Sequence, residues 1–187
     1  MELNKAVAKA EINFIKGTPQ IRRFWNSSNE KQIDILKCLN IPQNGIQVCA
    51  TIGLNKIDIG LISDKKPLRA EIVGASDILN NSFENMIATT AFKIMDSHTC
   101  FPGYIVDNVI EEYIPDCEMK HFLLTDPFLW EDAQSITLDS VHIAWLMTVP
   151  ISHKEYEYAR INGVSKLESA FEHHNIDIYN IYRKSIF

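Results

Sequence analysis

The sequence has few of the features that mark disordered, exported or membrane-spanning chains. Glycine and proline number seven each in 187 residues, and no segment is rich in either. The most apolar stretch, at 141–151, is shorter than the ~20 residues that cross a bilayer, and Pro150 interrupts it. The N-terminal segment mixes lysine with glutamate and lacks the apolar stretch of a signal peptide. We therefore expect a folded chain without an export signal or a membrane span.

Cysteine is also scarce, and its spacing excludes the common cysteine-based sites. The four cysteines lie far apart and form no C-x-x-C pair. Isolated cysteines in apolar runs are typical of reduced thiols, so we expect a cytoplasmic protein. The chain also lacks the glycine-rich motifs that cradle phosphate groups, which leaves nucleotide binding unsupported.

Positive charge is in deficit. The chain has 24 acidic and 18 basic residues, which gives a formal net charge of −6. This sign disfavours direct binding to nucleic acid, which needs a broad basic face. An acidic surplus is common among cytoplasmic proteins, and it also suits a protein that docks onto a basic partner, because opposite potentials speed encounter.

Apolar patterns and turn residues alternate along the whole chain. With 46% hydrophobic residues the chain can bury a sizeable core, and its length suits one domain, 1–187. Apolar residues at three- and four-residue spacing predict a first helix from Leu3 towards Gly17. Four segments rich in β-branched and aromatic residues then predict an antiparallel meander at 20–25, 32–39, 45–54 and 67–74.

Further helices and strands follow the meander. Ser82 is placed to cap a helix over 83–97. Strands are predicted at 106–113, 119–125 and 142–149. The last of these is apolar at nearly every position, so we expect both of its faces to be buried and the strand to be central.

Two S-x-x-E spacings predict the last helices. Ser152 with Glu155 forms a capping box that starts one helix, and Ser165 with Glu168 repeats the pattern for a helix that ends at His174. A short strand or extended segment is expected at 176–181. The predicted fold class is α+β, with a mixed, mainly antiparallel β-sheet flanked by helices.

Cysteine and histidine lie close enough in sequence for a metal site to be considered. Cys117 and His121 are four residues apart, and His98 and Cys100 precede them. The two pairs straddle different predicted elements and match no zinc-finger or ribbon spacing. We therefore expect no metal and no other cofactor.

A nucleophile pair could be built from Cys100 and either His142 or His121, which would make the chain a small hydrolase. Catalysis needs contact in three dimensions, which the sequence does not show. A histidine at the start of an apolar strand, such as His142, is more often a hydrogen-bonded structural residue than a general base. We expect no enzymatic activity, with the hydrolase as the alternative.

Carboxylates cluster beside aromatic residues in the segments 111–118 and 126–132. Adjacent carboxylates diverge on a strand or turn, which disfavours a nuclease metal centre. They are either solvated loop charges or an acidic, aromatic surface that meets a cationic partner. The candidate protein-binding residues are Glu111, Glu112, Tyr113, Asp116, Glu118, Asp126, Trp130, Glu131 and Asp132.

Motifs over nearly the full chain resemble one known family. The segments 68–73 (LRAEIV), 119–124 (MKHFLL), 126–130 (DPFLW) and 141–155 (VHIAWLMTVPISHKE) occur in that order, before a close on 183–185 (RKS). The W-L-x-x-V-P-I-S-x-x-E stretch is the most specific part. Together these motifs resemble the bacterial suppressor of fused-like (SUFU-like) domain.

The resemblance implies a protein-binding domain without catalytic residues. Many bacterial members are immunity proteins, encoded beside a secreted toxin that they neutralise inside the producing cell. The sequence is particularly similar to a Bacillus antitoxin type that is associated with an LXG-type toxin carrying a C-terminal nuclease domain. The implied partner is a cognate toxin protein, and the alternative is a general adaptor, as among eukaryotic relatives. The signature positions are expected to serve packing, capping and turns: Arg69, Glu71, Trp145, Pro150, Ser152 and Glu155.

Overall fold

A mixed β-sheet with helices on both faces organises residues 2–138 and 140–187, which the computed structural model describes. The α-helices in these residues are α1 (Glu2–Ile15), α2 (Phe83–Ser97), α3 (His153–Asn162) and α4 (Val164–His174). The strands are β1 (Gln20–Trp25), β2 (Gln32–Leu39), β3 (Ile46–Ile52), β4 (Ile62–Ser63), β5 (Lys66–Asp77), β6 (Ile105–Val106), β7 (Met119–Thr125), β8 (Ile136–Leu138) and β9 (Val141–Ser152). None of these helices is long and apolar enough to cross a membrane.

The nine strands described form one sheet in the order β1-β2-β3-β5-β9-β7-β6, with β4 added to β5 and β8 added to β9. The first strands form the predicted antiparallel meander. Strands β5 and β9 pair in parallel, with Leu68 opposite His142 and Gly74 opposite Thr148. The other paired strands of the described chain are antiparallel. The predicted α+β class with a mixed, mainly antiparallel sheet is confirmed.

Strand β9 lies inside the sheet, as its apolar sequence predicts. Trp145 and Val149 point to the face that α1, α3 and α4 cover, and we call this the α4 face. Leu146 packs on the opposite face against the core of α2 and the segment 107–118, which we call the α2 face. Burial on both faces explains why this strand alternates so little between apolar and polar residues.

Of the helix caps predicted at Ser152 and Ser82, only the one at Ser152 forms. The capping box at the start of α3 is confirmed: Ser152 Oγ accepts from the Glu155 N–H at 3.1 Å, and Glu155 Oε2 accepts from the Ser152 N–H at 2.8 Å. Helix α2 begins at Phe83 as predicted, but the Ser82 side chain makes no capping hydrogen bond. Instead, Asn80 Oδ1 accepts from the Ser82 N–H at 3.3 Å.

The second predicted capping box is wrong. Helix α4 starts at Val164, directly after Gly163, so Ser165 lies inside its first turn. Gly163 has φ of 93°, a conformation that favours glycine and leaves the helix start without a side-chain cap. Glu168 instead accepts a hydrogen bond from Thr125 Oγ1 at 2.8 Å, which fastens α4 to the end of β7.

The predicted strand at 106–113 is also wrong, and so is the strand or extended segment at 176–181. Of 106–113, only the start belongs to a strand, because Asn108 has φ of 56° and turns follow. Val109 and Ile110 are adjacent and both fully buried, which a half-exposed strand does not permit but a folded-back turn does. The segment 176–181 contains turns and no strand, with the Asn180 N–H bonded to the carbonyl of Asp177 at 3.3 Å.

Candidate functional site

The two acidic segments lie on opposite faces of the sheet. Ile110, Ile114 and Cys117 anchor the first segment in the core of the α2 face. Leu129 and Trp130 anchor the second in the core of the α4 face. The residues that the sequence suggests as one protein-binding surface are therefore two separate surfaces.

On the α2 face, the acidic residues are exposed but largely paired. Three carboxylates have a lysine partner: Glu111 with Lys120 at 3.3 Å, Glu112 with Lys93 at 2.7 Å, and Glu118 with Lys184 at 3.5 Å. Asp116 is exposed. Tyr113 is 37% exposed, and its hydroxyl lies 2.7 Å from Thr89 Oγ1. Neighbouring lysines thus offset part of the negative potential of this segment.

On the α4 face, Trp130 is not available to a partner. It is 6% exposed and packs against Phe14, at 6.1 Å between ring centroids. The Trp130 ring packs into the core, so a partner on this surface meets little of it. Phe128, two residues earlier, is 60% exposed. Both aromatics belong to the same D-P-F-L-W motif, and only the packing under α1 decides which one is buried.

The other members of this segment are exposed. Glu131 and Asp126 reach solvent, and Asp132 pairs with Lys16 at 2.8 Å. Asp126 lies at the mouth of a groove that runs between the end of β7 and α4. Asp126 thus lies beside this cavity, whereas Glu131 and Asp132 line a second, smaller cavity of about 330 Å³.

The groove has an apolar floor and an acidic rim. Its volume is about 540 Å³. Leu123, Val149, Phe171, Ile176 and Ile178 provide apolar surface. The remaining lining residues are Thr125, Asp126, Phe128, Glu168, Glu172 and Asn175, so carboxylates are present and no lysine or arginine lines the groove.

A buried ion pair fixes the wall of the groove. Arg183 contacts both carboxylate oxygens of Glu155, at 2.6 Å and 2.7 Å, and also donates to the Pro150 carbonyl at 2.8 Å. The same guanidinium lies 5.2 Å from the centre of the Phe171 ring. The pair thus joins the C-terminal segment, the start of α3 and the middle of α4 into one rigid unit.

The possible zinc ligands have separate hydrogen-bond partners. The Cys117 thiol donates to the Ile181 carbonyl at 2.9 Å, and His98 Nδ1 donates to the Asp58 carbonyl at 3.0 Å. His121 Nδ1 accepts from the Asn108 N–H at 3.0 Å. In residues 2–138 and 140–187, no group of three or more histidine, cysteine or acidic side chains is arranged to hold a metal.

The possible nucleophile is not activated. Cys100 is 2% exposed, and burial, with a smaller effect from Glu71, raises the pKa of its thiol to about 12. A reactive cysteine needs the opposite shift. His142 Nδ1 lies 2.6 Å from Thr137 Oγ1, and His121 is bonded to the backbone as described above. Within the described residues, neither histidine is hydrogen-bonded to Cys100.

Two signature residues hold the fold instead of facing a partner. Glu71 is fully buried and accepts from the N–H groups of Gly53 at 2.8 Å and Asn55 at 3.1 Å, which closes the turn after β3. Burial raises the pKa of the Glu71 carboxyl, although these donors oppose the shift. Trp145 is 2% exposed, and its Nε1 donates to Glu11 Oε1 at 3.0 Å.

Comparison with known proteins agrees with this architecture. The family model described as Suppressor of fused protein (SUFU) matches residues 29–184. The chain is 36% identical to Immunity protein YqcF of Bacillus subtilis (strain 168), over 98% of this chain and 96% of that protein.

Solved structures show the same fold. A SUFU homologue from Neisseria gonorrhoeae FA 1090 superposes with a TM-score of 0.75 at 19% identity, covering 99% of this chain and 97% of the other. The crystal structure of the Sufu–Fu complex gives a TM-score of 0.67 at 10% identity, covering 99% and 92% of the two chains.

Proposed function

The chain belongs to the suppressor of fused (SUFU) family, and from that membership we propose that it is an immunity protein, which binds a cognate toxin and neutralises it inside the producing cell. The observation that carries the proposal is its similarity to Immunity protein YqcF along almost the full length of both chains. The similarity extends over 98% of this chain and 96% of that protein, so it is not confined to one motif.

The proposed partner is the nuclease domain of an LXG-type toxin. A nuclease presents a basic surface to its substrate, because it must hold a phosphate backbone. The net charge of −6 on this chain complements such a surface and favours fast encounter. We place the interaction in the cytoplasm and assign it to the whole chain, 1–187, acting as one SUFU-like domain.

The candidate docking residues are the exposed members of the two acidic segments. On the α2 face these are Glu111, Glu112, Tyr113, Asp116 and Glu118, and on the α4 face they are Asp126, Glu131 and Asp132. Protection throughout the life of the cell requires slow dissociation. A standard interface of ~1,600 Å² with a few buried anchors supplies nanomolar affinity or better.

The proposed activity is inhibition by binding, without catalysis or a bound metal. The thiol of Cys100 is buried and protonated at neutral pH, which supports the non-enzymatic assignment. Elemental analysis of the purified protein should find no stoichiometric zinc. One tightly bound zinc ion per chain would contradict this part of the proposal.

Co-expression tests the proposal directly. The chain should rescue cells from the C-terminal domain of the toxin that is encoded beside its own gene, and it should not rescue them from a toxin of unrelated sequence. This specificity follows from docking, because a complementary surface must match. Failure of the wild-type chain to bind or rescue would remove the immunity assignment and leave the adaptor alternative.

A further inference from the structure

We propose that the groove between the end of β7 and α4 is the docking site for a segment of the toxin in which an apolar side chain is flanked by lysine or arginine. The proposal rests on the proposed function and deepens it, because it chooses one of the two acidic faces. The toxin is proposed to dock on the α4 face.

The rim of the groove carries carboxylates that are free to meet a cation. Asp126 and Glu172 are exposed, and within the described residues neither lies within 4.0 Å of a lysine, arginine or histidine nitrogen. Glu168 Oε1 accepts a hydrogen bond from Thr125 Oγ1, and Glu168 also has no cationic partner among the described residues. A cationic segment would gain attraction here without displacing an existing ion pair.

Four of the acidic docking candidates elsewhere differ in this respect, whereas Asp116 and Glu131 are likewise exposed with no cationic nitrogen of the described residues within 4.0 Å. Glu111, Glu112 and Glu118 on the α2 face each have a lysine partner, and so has Asp132. A toxin lysine that binds one of these carboxylates must compete with the resident lysine. The net gain from each exchange is small, since an exposed ion pair contributes only about 0 to 1 kcal/mol.

The floor of the groove favours an apolar side chain. Leu123, Val149 and Phe171 form its base, and Phe128 stands at its mouth with 60% of its surface exposed. An exposed aromatic beside an apolar cavity loses contact with water when a partner side chain enters. The volume of about 540 Å³ lies within the range of cavities that enclose small groups.

The site is rigid before binding. Thr125 fastens Glu168 at one wall, and Arg183 packs over Phe171 while it is itself held by Glu155. A partner that enters a preformed groove loses less conformational entropy on binding. This rigidity suits the tight complex that immunity requires.

A titration with short peptides tests the groove without the toxin. Acetyl-Lys-Leu-Lys-amide should shift the backbone amide NMR signals of residues 123–128 and 168–178 in the full chain. Acetyl-Glu-Leu-Glu-amide at the same concentration should not. The proposal is overturned if the cationic peptide leaves these signals unmoved, or if both peptides shift them equally.

Binding to the toxin domain gives the second test. The double variant Phe128→Ala/Glu172→Lys should raise Kd at least about tenfold. It removes the exposed aromatic anchor and reverses the charge of one carboxylate on the rim. Its matched control is Leu79→Ala/Glu30→Lys, which changes one exposed apolar and one exposed acidic residue away from the groove. The control should leave Kd within about twofold, since isolated surface residues contribute little.

The outcomes separate the two proposals. Equal Kd for the wild type and the groove variant, with both correctly folded by circular dichroism, would overturn the groove site while immunity stands. If the wild-type chain does not bind the toxin domain but the cationic peptide still shifts the groove signals, the immunity function falls and the groove remains a cationic-segment site.

Discussion

Glu11 shows how one buried carboxyl group depends on its neighbours. It is fully buried in α1, Oε1 accepts from Trp145, and Oε2 has no hydrogen-bond partner. Burial raises the pKa of Glu11 well above its ordinary value, and the nearby charge of Glu71 raises it further. The folded protein therefore holds the Glu11 proton more tightly than the unfolded chain does.

This proton gives a pH-dependent prediction. As the pH rises past the ordinary Glu value of 4.5, the unfolded chain releases the Glu11 proton while the folded state keeps it, so the wild type loses stability. Glu11→Gln mimics the protonated form and escapes this loss. We expect the variant to be more stable than the wild type by about 1 to 3 kcal/mol at pH 8, with a smaller difference at pH 4.

Urea unfolding at the two pH values measures the difference. Glu2→Gln, on the exposed side of the same helix, is the matched control and should follow the wild type at both pH values. An advantage of Glu11→Gln over the wild type that does not grow between pH 4 and pH 8 would contradict a raised pKa at Glu11.

The burial and hydrogen-bond partners of single side chains were the hardest features to predict from the sequence. The sequence identifies Trp145 as a core residue, because it lies in an apolar strand, and the structure agrees. The sequence does not show which of Phe128 and Trp130 is buried, because the loop in which they lie has no periodicity that assigns one side to the core. Nor does it reveal that Glu168 bonds to Thr125 in a distant strand instead of capping its own helix.

Among the elements, the link between the C-terminal segment and α3 depends on Arg183. Arg183→Ala leaves the buried Glu155 carboxylate without its cation, which should destabilise the fold by about 3 to 5 kcal/mol. Arg160→Ala is the control, because Arg160 pairs with Glu157 on the exposed surface of α3. This substitution should destabilise the fold by less than about 1 kcal/mol. Chemical denaturation compares the two, and similar losses would contradict the assigned role of Arg183.

The parallel pair β5–β9 needs a glycine at the end of its register, where Gly74 lies opposite Thr148. A Cβ at Gly74 would overlap Thr148 Oγ1 and lie 2.9 Å from Phe83 Cζ. Gly74→Ala should therefore destabilise the protein by about 1 to 3 kcal/mol through overpacking. Adding Thr148→Ala should recover part of the loss in a double-mutant cycle of thermal unfolding. Strictly additive effects would show that Thr148 is not the obstacle.

Elements with a local signal were predicted well. The meander strands carry alternating β-branched residues and turn residues between them, and α3 has its cap in its own sequence. The segment 106–113 has the same β-branched composition, but the burial of Val109 and Ile110 against α2 outweighs it. Such contacts join residues distant in sequence, and no local pattern encodes them.

For the whole molecule, the sheet between the two acidic segments limits how a partner binds. One rigid partner domain does not cover both faces, and charges farther than about 8 Å from a contact are screened at physiological salt. Of the charge reversals Glu111→Lys/Glu112→Lys and Glu131→Lys/Asp132→Lys, we therefore expect only one to slow association with the toxin domain. Stopped-flow rates at several salt concentrations test this. Equal slowing by both would mean that the partner wraps around the sheet edge.

The parallel pairing of β5 with β9 also delays completion of the sheet during synthesis. Leu68 lies opposite His142, 74 positions further along the chain. At roughly 5 to 20 residues per second, several seconds of synthesis separate the two strands, and until β9 emerges the edge of β5 has no neighbour on that side. A nascent molecule thus cannot complete its sheet or the β7–α4 groove. Under the proposed immunity function, a cell is protected by the copies it finished earlier, not by the one it is making.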